Sequence, residues 1–202
     1  MIAIVDYGVG NLLSVQKALE SLGAQVYLAR TPEDLAKAKA VILPGVGAFG
    51  RAMENLELRG LVPAIKTSIA SGKEFLGICL GMQLLLESSQ EAPGTQGLGI
   101  IPGTVVRLQG QKVPQIGWNS LKFERPSPLF PGIDPEPYLY FVHSYCVAPE
   151  ADVVAATTDY QGRFPSALWQ DNIHALQFHP EKSGRVGLEI LNNFWKLVQK
   201  CS

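Results

Sequence analysis

A cysteine with a glycine two residues before it and another two residues after it sets the tightest limit on what this chain can become. In Gly77-Ile78-Cys79-Leu80-Gly81, the apolar run Phe75 to Ile78 reads as a buried strand, and Leu80 to Glu87 continues with helical character. The spacing G-x-nucleophile-x-G is that of a nucleophile elbow, with cysteine in place of serine. The turn is sharp, so the flanking positions must lack a bulky Cβ. The cysteine would then stand at a helix N-terminus, whose unpaired N–H groups and dipole favour a thiolate and can hold an oxyanion. The same residues also fit a buried structural cysteine at a strand end, since free cysteine is among the most buried residue types. The elbow alone does not separate these two.

The elements before the elbow alternate. Ile2 to Val5 reads as a buried strand and Asp6-Tyr-Gly-Val-Gly-Asn11 as a glycine-rich turn. Leu12, Val15, Leu19 and Leu22 recur at helical spacing, with Gly23 as a stop. Ala24 to Ala29 is a second strand. Thr31-Pro32-Glu33-Asp34 begins a helix, with a hydroxyl cap, proline in the first position and acids in the first turn. Ala40 to Leu43 is a third strand, ending in Pro44-Gly-Val-Gly47, and a helix around Leu61 to Ala70 leads back to the cysteine strand. Strands alternating with helices predict a parallel sheet with helices on its faces.

From Gly97 to Pro149 the pattern changes to β-formers (Ile100, Ile101, Val105, Val106, Tyr138 to Val142) broken by prolines and glycines, which predicts short strands and irregular loops. Val153 to Thr157, Ser166 to Gln170 and Ile173 to Phe178 are further strands. A closing helix from about Ser183 carries Ile190, Leu191, Phe194, Trp195 and Val198 as one apolar stripe.

With 202 residues, no linker and no repeat, the chain reads as one α/β domain. A net charge of −1 and the lack of any basic run argue against a nucleic-acid partner. No apolar stretch approaches a membrane span, and Met1 to Val5, interrupted by Asp6, is not a signal peptide. The 3 cysteines, widely spaced and odd in number, suggest a reducing, cytoplasmic setting. With 3 histidines and neither C-x-x-C nor H-E-x-x-H, no metal is expected. Gly8-Val-Gly10 would open a dinucleotide fingerprint, but Leu13 occupies its third glycine position, so no cofactor is expected either.

A second constellation follows the strand at Ile173 to Phe178: His179-Pro180-Glu181. A cysteine nucleophile needs a base for its proton, and the base needs a group that fixes its tautomer and stabilises the imidazolium. His179 and Glu181 are of the right types, and the proline stiffens the backbone that presents them. Taken singly, His179 reads as a hydrogen-bonded strand-end histidine and Glu181 as a solvated acid. Together with a glycine-flanked cysteine they point to a Cys-His-Glu triad. His143 and His174 read as structural.

Gly77-Ile-Cys-Leu-Gly-Met-Gln83 with His179-Pro-Glu181 resembles the class I glutamine amidotransferases, and almost the whole chain carries motifs in that family's order. Asp6 to Asn11, Pro44 to Phe49, Val113-Pro-Gln-Ile-Gly-Trp-Asn119, Tyr140 to Tyr145 and Gln177 to Ser183 are similar to the glutaminase subunits of imidazole glycerol phosphate synthases within it. One departure is Gln115-Ile116, where many members carry His-Met. The resemblance implies a class I glutamine amidotransferase-like (flavodoxin-like) α/β fold, a single domain over residues 1–202 with a mixed, mostly parallel sheet and helices on both faces. It implies Cys79, His179 and Glu181 as catalytic residues. Oxyanion and glutamine binding would fall to Leu80, Gln83, the Gly45-Val46-Gly47 loop and the Ser144-Tyr145 backbone. The implied partner is a (βα)8-barrel cyclase that receives ammonia, with Val9, Asn11, Ile116, Trp118, Tyr140 and Lys182 near the interface; Trp118 is placed in a turn. Two other readings share these residues. One is the glutaminase of a pyridoxal-phosphate or anthranilate synthase; the former usually carries Gly-Gly-Glu-Ser after the third strand, where this chain has Pro44-Gly-Val-Gly. The other is a stand-alone cysteine hydrolase, which would not need the interface set.

Overall fold

A computed structural model describes residues 1–200; Cys201 lies outside the described residues. The first part of the chain runs β1 (Ile2–Val5), α1 (Leu12–Ser21), β2 (Val26–Ala29), α2 (Pro32–Lys37), β3 (Ala40–Gly45), α3 (Phe49–Leu58), α4 (Leu61–Ala70) and β4 (Glu74–Cys79). Every residue of β1 and β3 is buried, as a central parallel strand covered on both faces requires. Ala3, Val5, Val41, Leu43 and Phe75 point into one core, where α2, α3 and α4 add Leu35, Phe49, Ala52, Met53, Leu56, Leu61 and Ile65. Ile2, Ile4, Ala40, Ile42, Leu76 and Ile78 point into the other, against Val15, Ala18 and Leu19 of α1. The period of two along each strand thus builds two cores from one sheet.

Local signals hold at α2. Thr31 and Asp34 form a reciprocal capping box and Pro32 sits in the first turn. The helix α3, by contrast, was not anticipated, although Phe49, Ala52, Met53 and Leu56 carry its apolar stripe. Its N-cap is Ala48, which has no side-chain acceptor, and the cap is supplied from afar: Phe49 N–H donates to Glu91 Oε2 at 2.8 Å.

After the cysteine comes α5 (Leu80–Gln83), only 4 residues long where helical character ran to Glu87 in the sequence. The carbonyls that a longer helix would use are taken by a returning segment. Leu98 N–H donates to Leu84 O, Ile100 and Ile101 N–H to Leu85 O, and Gly97 N–H to Glu87 O. Leu84, Leu85 and Leu86 are all fully buried, so this run needs no amphipathic helix to hide it. The same bonds make Ile100 and Ile101 a loop edge, not a strand.

The rest is β5 (Ser88–Ser89), β6 (Gly103–Arg107), β7 (Gln115–Ser120), β8 (Lys122–Phe123), β9 (Tyr138–His143), β10 (Tyr145–Pro149), β11 (Val154–Asp159), β12 (Arg163–Gln170), β13 (Ile173–Leu176), a 3-10 turn at Pro180–Lys182 and α6 (Gly184–Lys200). The main sheet has the order β2-β1-β3-β4-β13-β12-β11-β8. Pairing is parallel from β2 through β13 and antiparallel beyond it. It is a mixed, mostly parallel sheet whose parallel part has the flavodoxin-like order, and the crevice beyond the carboxyl ends of such strands is where α/β sheets bind ligands. Strand β7, which contains Trp118, pairs antiparallel with β9 as a separate ribbon. Trp118 therefore stands in a strand, not a turn.

Helix α6 packs Ile190, Leu191, Phe194 and Val198 into the second core, each contributing about 1.5–3 kcal/mol. Trp195 is only partly buried, at the margin of the stripe. Among the described residues no helix is long and apolar enough to cross a membrane.

Candidate active site

The elbow explains both glycines. Cys79 has φ 54° and ψ −109°, a strained conformation for a residue with a Cβ. A Cβ on Gly77 would come within 2.8 Å of Gly81 O, and one on Gly81 would sit 1.7 Å from Leu43 O. The turn thus folds back onto its own strand on one side and onto β3 on the other. The parallel register sets Gly45 beside Cys79, so the exposed Val46 and Gly47 follow at the mouth of the site. Gly45 itself is buried under Tyr7 Oη and does not line the cavity.

His179 and Glu181 lie just past the end of β13, the next strand over from β4. His179 Nδ1 and Glu181 Oε1 are 2.8 Å apart, with both side chains nearly inaccessible. The carboxylate accepts from Nδ1–H, which leaves Nε2 buried and without a hydrogen-bond partner, while Cys79 lies close enough to act on the charge of the ring. The turn carrying Glu181 is held firmly: Ser183 Oγ–H donates to His179 O, Tyr140 N–H donates to Ser183 Oγ, and His179 N–H donates to Tyr140 O.

Two buried histidines show what the partners do. Burial pushes the His143 imidazole down to about 4, only partly opposed by its bond to the Tyr145 carbonyl. Burial acts on His179 in the same sense, yet Cys79 and Glu181 outweigh it and raise the ring to about 9. The sulfur and the carboxylate thus favour the charged form of the ring against its burial. A raised folded-state value stabilises the fold below the ordinary histidine range, and that contribution is lost as pH rises through about 9. Glu181→Gln is expected to bring the His179 value well below 9, read from its ring proton shifts, and to remove this alkaline limb from the stability profile. An unchanged titration would show that Glu181 does not hold the ring.

A cavity of about 440 Å³ opens over the sulfur. Among its lining residues are Val46, Gly47, Cys79, Leu80, Gln83, Ser144, Tyr145 and Lys182, so most of the residues expected to bind substrate share one space. The first N–H groups of α5 have no partners within the helix, and Leu80 and Gln83 at its two ends line the cavity; at 4 residues, α5 offers these donors but little macrodipole. Three residues near the cavity were given no role from sequence. Gln177 reaches the sulfur at 3.7 Å. Glu91 lines the cavity and caps α3. Tyr7 is fully buried and donates to Pro44 O at 3.0 Å. Glu91 and Tyr7 act across 42 and 37 positions of chain, so no local spacing reveals them.

Of the residues expected at a partner surface, Ile116 and Trp118 are more than half exposed. Trp118 pairs with Tyr140 across the ribbon, their rings edge-on at 6.2 Å, and Lys182 Nζ lies 5.9 Å from the Tyr140 ring. Val142, next on this face, lines the cavity. Val9 and Asn11 lie in the β1–α1 loop, whose Gly10 adjoins Pro44 and Gly45.

A cysteine elbow beside a buried His-Glu pair, on a flavodoxin-like sheet, supplies the groups that covalent catalysis by a cysteine requires. The family described as "Glutamine amidotransferase class-I" matches residues 3–197, and the chain belongs to it. It is 52% identical over 200 residues to "Imidazole glycerol phosphate synthase subunit HisH" of Methanothermobacter thermautotrophicus, a match covering 98% of this chain and 100% of that one. The protein of the same name from Thermococcus kodakarensis is 50% identical, with the same coverage. These relatives put the chain in the HisH subunit group of that family. A crystal structure of a glutamine amidotransferase shares the fold, with a TM-score of 0.79 at 20% identity, over 98% of this chain and 100% of that one.

Proposed function

We propose that this chain is the glutaminase subunit of an imidazole glycerol phosphate synthase, with Cys79, His179 and Glu181 as its catalytic residues. The observation that carries the reading is the buried His179–Glu181 pair, whose ring keeps Nε2 unpartnered and is coupled to Cys79 in the wall of an open cavity.

The Cys79 sulfur attacks the side-chain amide carbon of glutamine, and His179 holds the thiol proton. The oxyanion is met by the Leu80 N–H and, across the cleft, by the Val46 peptide, which the exposed Gly47 (φ 95°) leaves free to turn. As the C–N bond breaks, His179 passes its proton to the leaving nitrogen and ammonia departs. Water then adds to the thioester with His179 as base, and glutamate leaves as the thiol reforms. Glu181 keeps the imidazole oriented throughout. Gln83 and the Ser144-Tyr145 backbone hold the substrate.

Ammonia released into water becomes ammonium near neutral pH, so it must pass directly to its acceptor. The acceptor is a (βα)8-barrel cyclase docked on the face that carries Ile116, Trp118, Tyr140 and Lys182, with Val9 and Asn11 on the adjoining loop. The chain acts as a single cytoplasmic domain over residues 1–202 and uses neither metal nor cofactor. Ammonia release from glutamine is expected to be slow for the purified chain and to rise strongly with the cyclase and its nucleotide ligand. Equal rates with and without the cyclase would refute the partnership, and stimulation by a different acceptor enzyme would reassign it.

A further inference from the structure

The sulfur of Cys79 has three polar neighbours, of which the His179 ring, coupled to it electrostatically, is one. The Val142 carbonyl, 3.9 Å away, can only accept, so it suits the S–H of a resting thiol. The third, Gln177 Nε2 at 3.7 Å, can only donate. A terminal amide can in general be turned end for end, but here its direction is determined. Gln83 Nε2 lies 2.9 Å from Tyr145 O, a backbone carbonyl, so the Gln83 nitrogen must be the atom on that side. The same nitrogen lies 3.1 Å from the Gln177 side chain, which must therefore present its oxygen to Gln83 and its NH₂ to the sulfur. Gln177 is fully buried, and Gln83 nearly so, so water does not compete for these bonds.

We infer that Gln177 is a positioning residue for the nucleophile: its side-chain amide, oriented through Gln83 by the Tyr145 carbonyl, donates a hydrogen bond that favours the charged sulfur over the thiol. A donor to an anion is worth more than a neutral pair, and this one is preset before substrate arrives. The titratable groups around the sulfur are His179 with Glu181 behind it, His143 on β9, Tyr7 beyond Gly45, and Glu91, Tyr145 and Lys182 along the cavity. Gln177 is the neutral donor among them. Its position beside the same Gln83 that lines the cavity also links the sulfur to the substrate wall.

This inference rests on Cys79 being the nucleophile, and the test separates the two. The full chain is treated with iodoacetamide across a pH range, and alkylation of the Cys79 peptide is followed by mass spectrometry. Gln177→Met keeps the bulk and removes the donor; it is expected to alkylate about tenfold more slowly at pH 7, with the rates converging near pH 10, where hydroxide ionises the thiol unaided. Gln177→Glu, which replaces the donor with an acceptor, is expected to show the same pattern and serves if the methionine variant does not fold. Equal rates at pH 7 would overturn the inference, as would a deficit that persists undiminished at pH 10, because that would make Gln177 a matter of shape alone. If alkylated wild-type chain, bound to its cyclase, still releases ammonia from glutamine, the nucleophile assignment fails instead.

Discussion

Cys79→Ala will reduce ammonia release from glutamine by about 10³-fold or more, equivalent to about 4 kcal/mol of barrier, because no other group stands in line for the amide carbon. The residue is buried and the substitution keeps its Cβ, so the strained turn survives and the chain still folds. Bound to its cyclase, the variant should support product formation from supplied ammonium at the wild-type rate while failing with glutamine. That pairing of outcomes distinguishes a lost nucleophile from a lost interface. The variant should also show a His179 ring that titrates lower, because the sulfur is one of the two partners that raise it to about 9. Glutamine-dependent turnover near the wild-type rate would mean that the cleft over Cys79 is not where the amide is broken.

The second large effect is structural. Gly81→Ala places a methyl group 1.7 Å from the Leu43 carbonyl oxygen, a backbone atom in the middle of the sheet that cannot swing aside. The elbow must lift or β3 must shift, at a cost of about 3 kcal/mol or more, which for a chain of this size lowers the melting temperature by roughly 6–12 °C. Gly81 does not have a positive φ, so the whole cost is collision. Gly72→Ala makes the contrast, since Gly72 has φ 81° and nothing within 4 Å of its missing Cβ; its cost is the left-handed backbone alone, about 1–2 kcal/mol. Thermal unfolding of the two variants side by side should rank Gly81 well below Gly72. A melting temperature for Gly81→Ala equal to that of Gly72→Ala would show that the elbow is looser than its packing implies.

What could be read ahead of the coordinates follows the range of the interactions concerned. The alternation of strands and helices, the hydroxyl cap at Thr31 and the stop at Gly23 are local, and they stand as expected. The elbow was legible because its steric demand falls on two positions close to the nucleophile. The His-x-Glu pair was legible because it spans three consecutive residues. The shortness of α5 was not, because the carbonyls beyond it are claimed by residues 97–101, and only the folded chain brings those together. Helix α3 carried an apolar stripe but no cap of its own, and its acceptor comes from Glu91. Trp118 reads as part of a turn because Gly117 and Asn119 flank it; its pairing with Tyr140 supplies the ladder that those neighbours conceal. Gln177 opens the stretch Gln177 to Ser183, yet its amide has meaning only once Gln83 and Tyr145 are beside it.

The stretch between β3 and α3 has a mechanical consequence. On one side the Tyr7 hydroxyl clasps Pro44 O, and on the other Glu91 grips Phe49 N–H, while Val46, Gly47 and Ala48 between them are exposed. Such a segment is anchored at both ends and exposed between them, so a turn of one peptide plane within it needs no movement of either anchor.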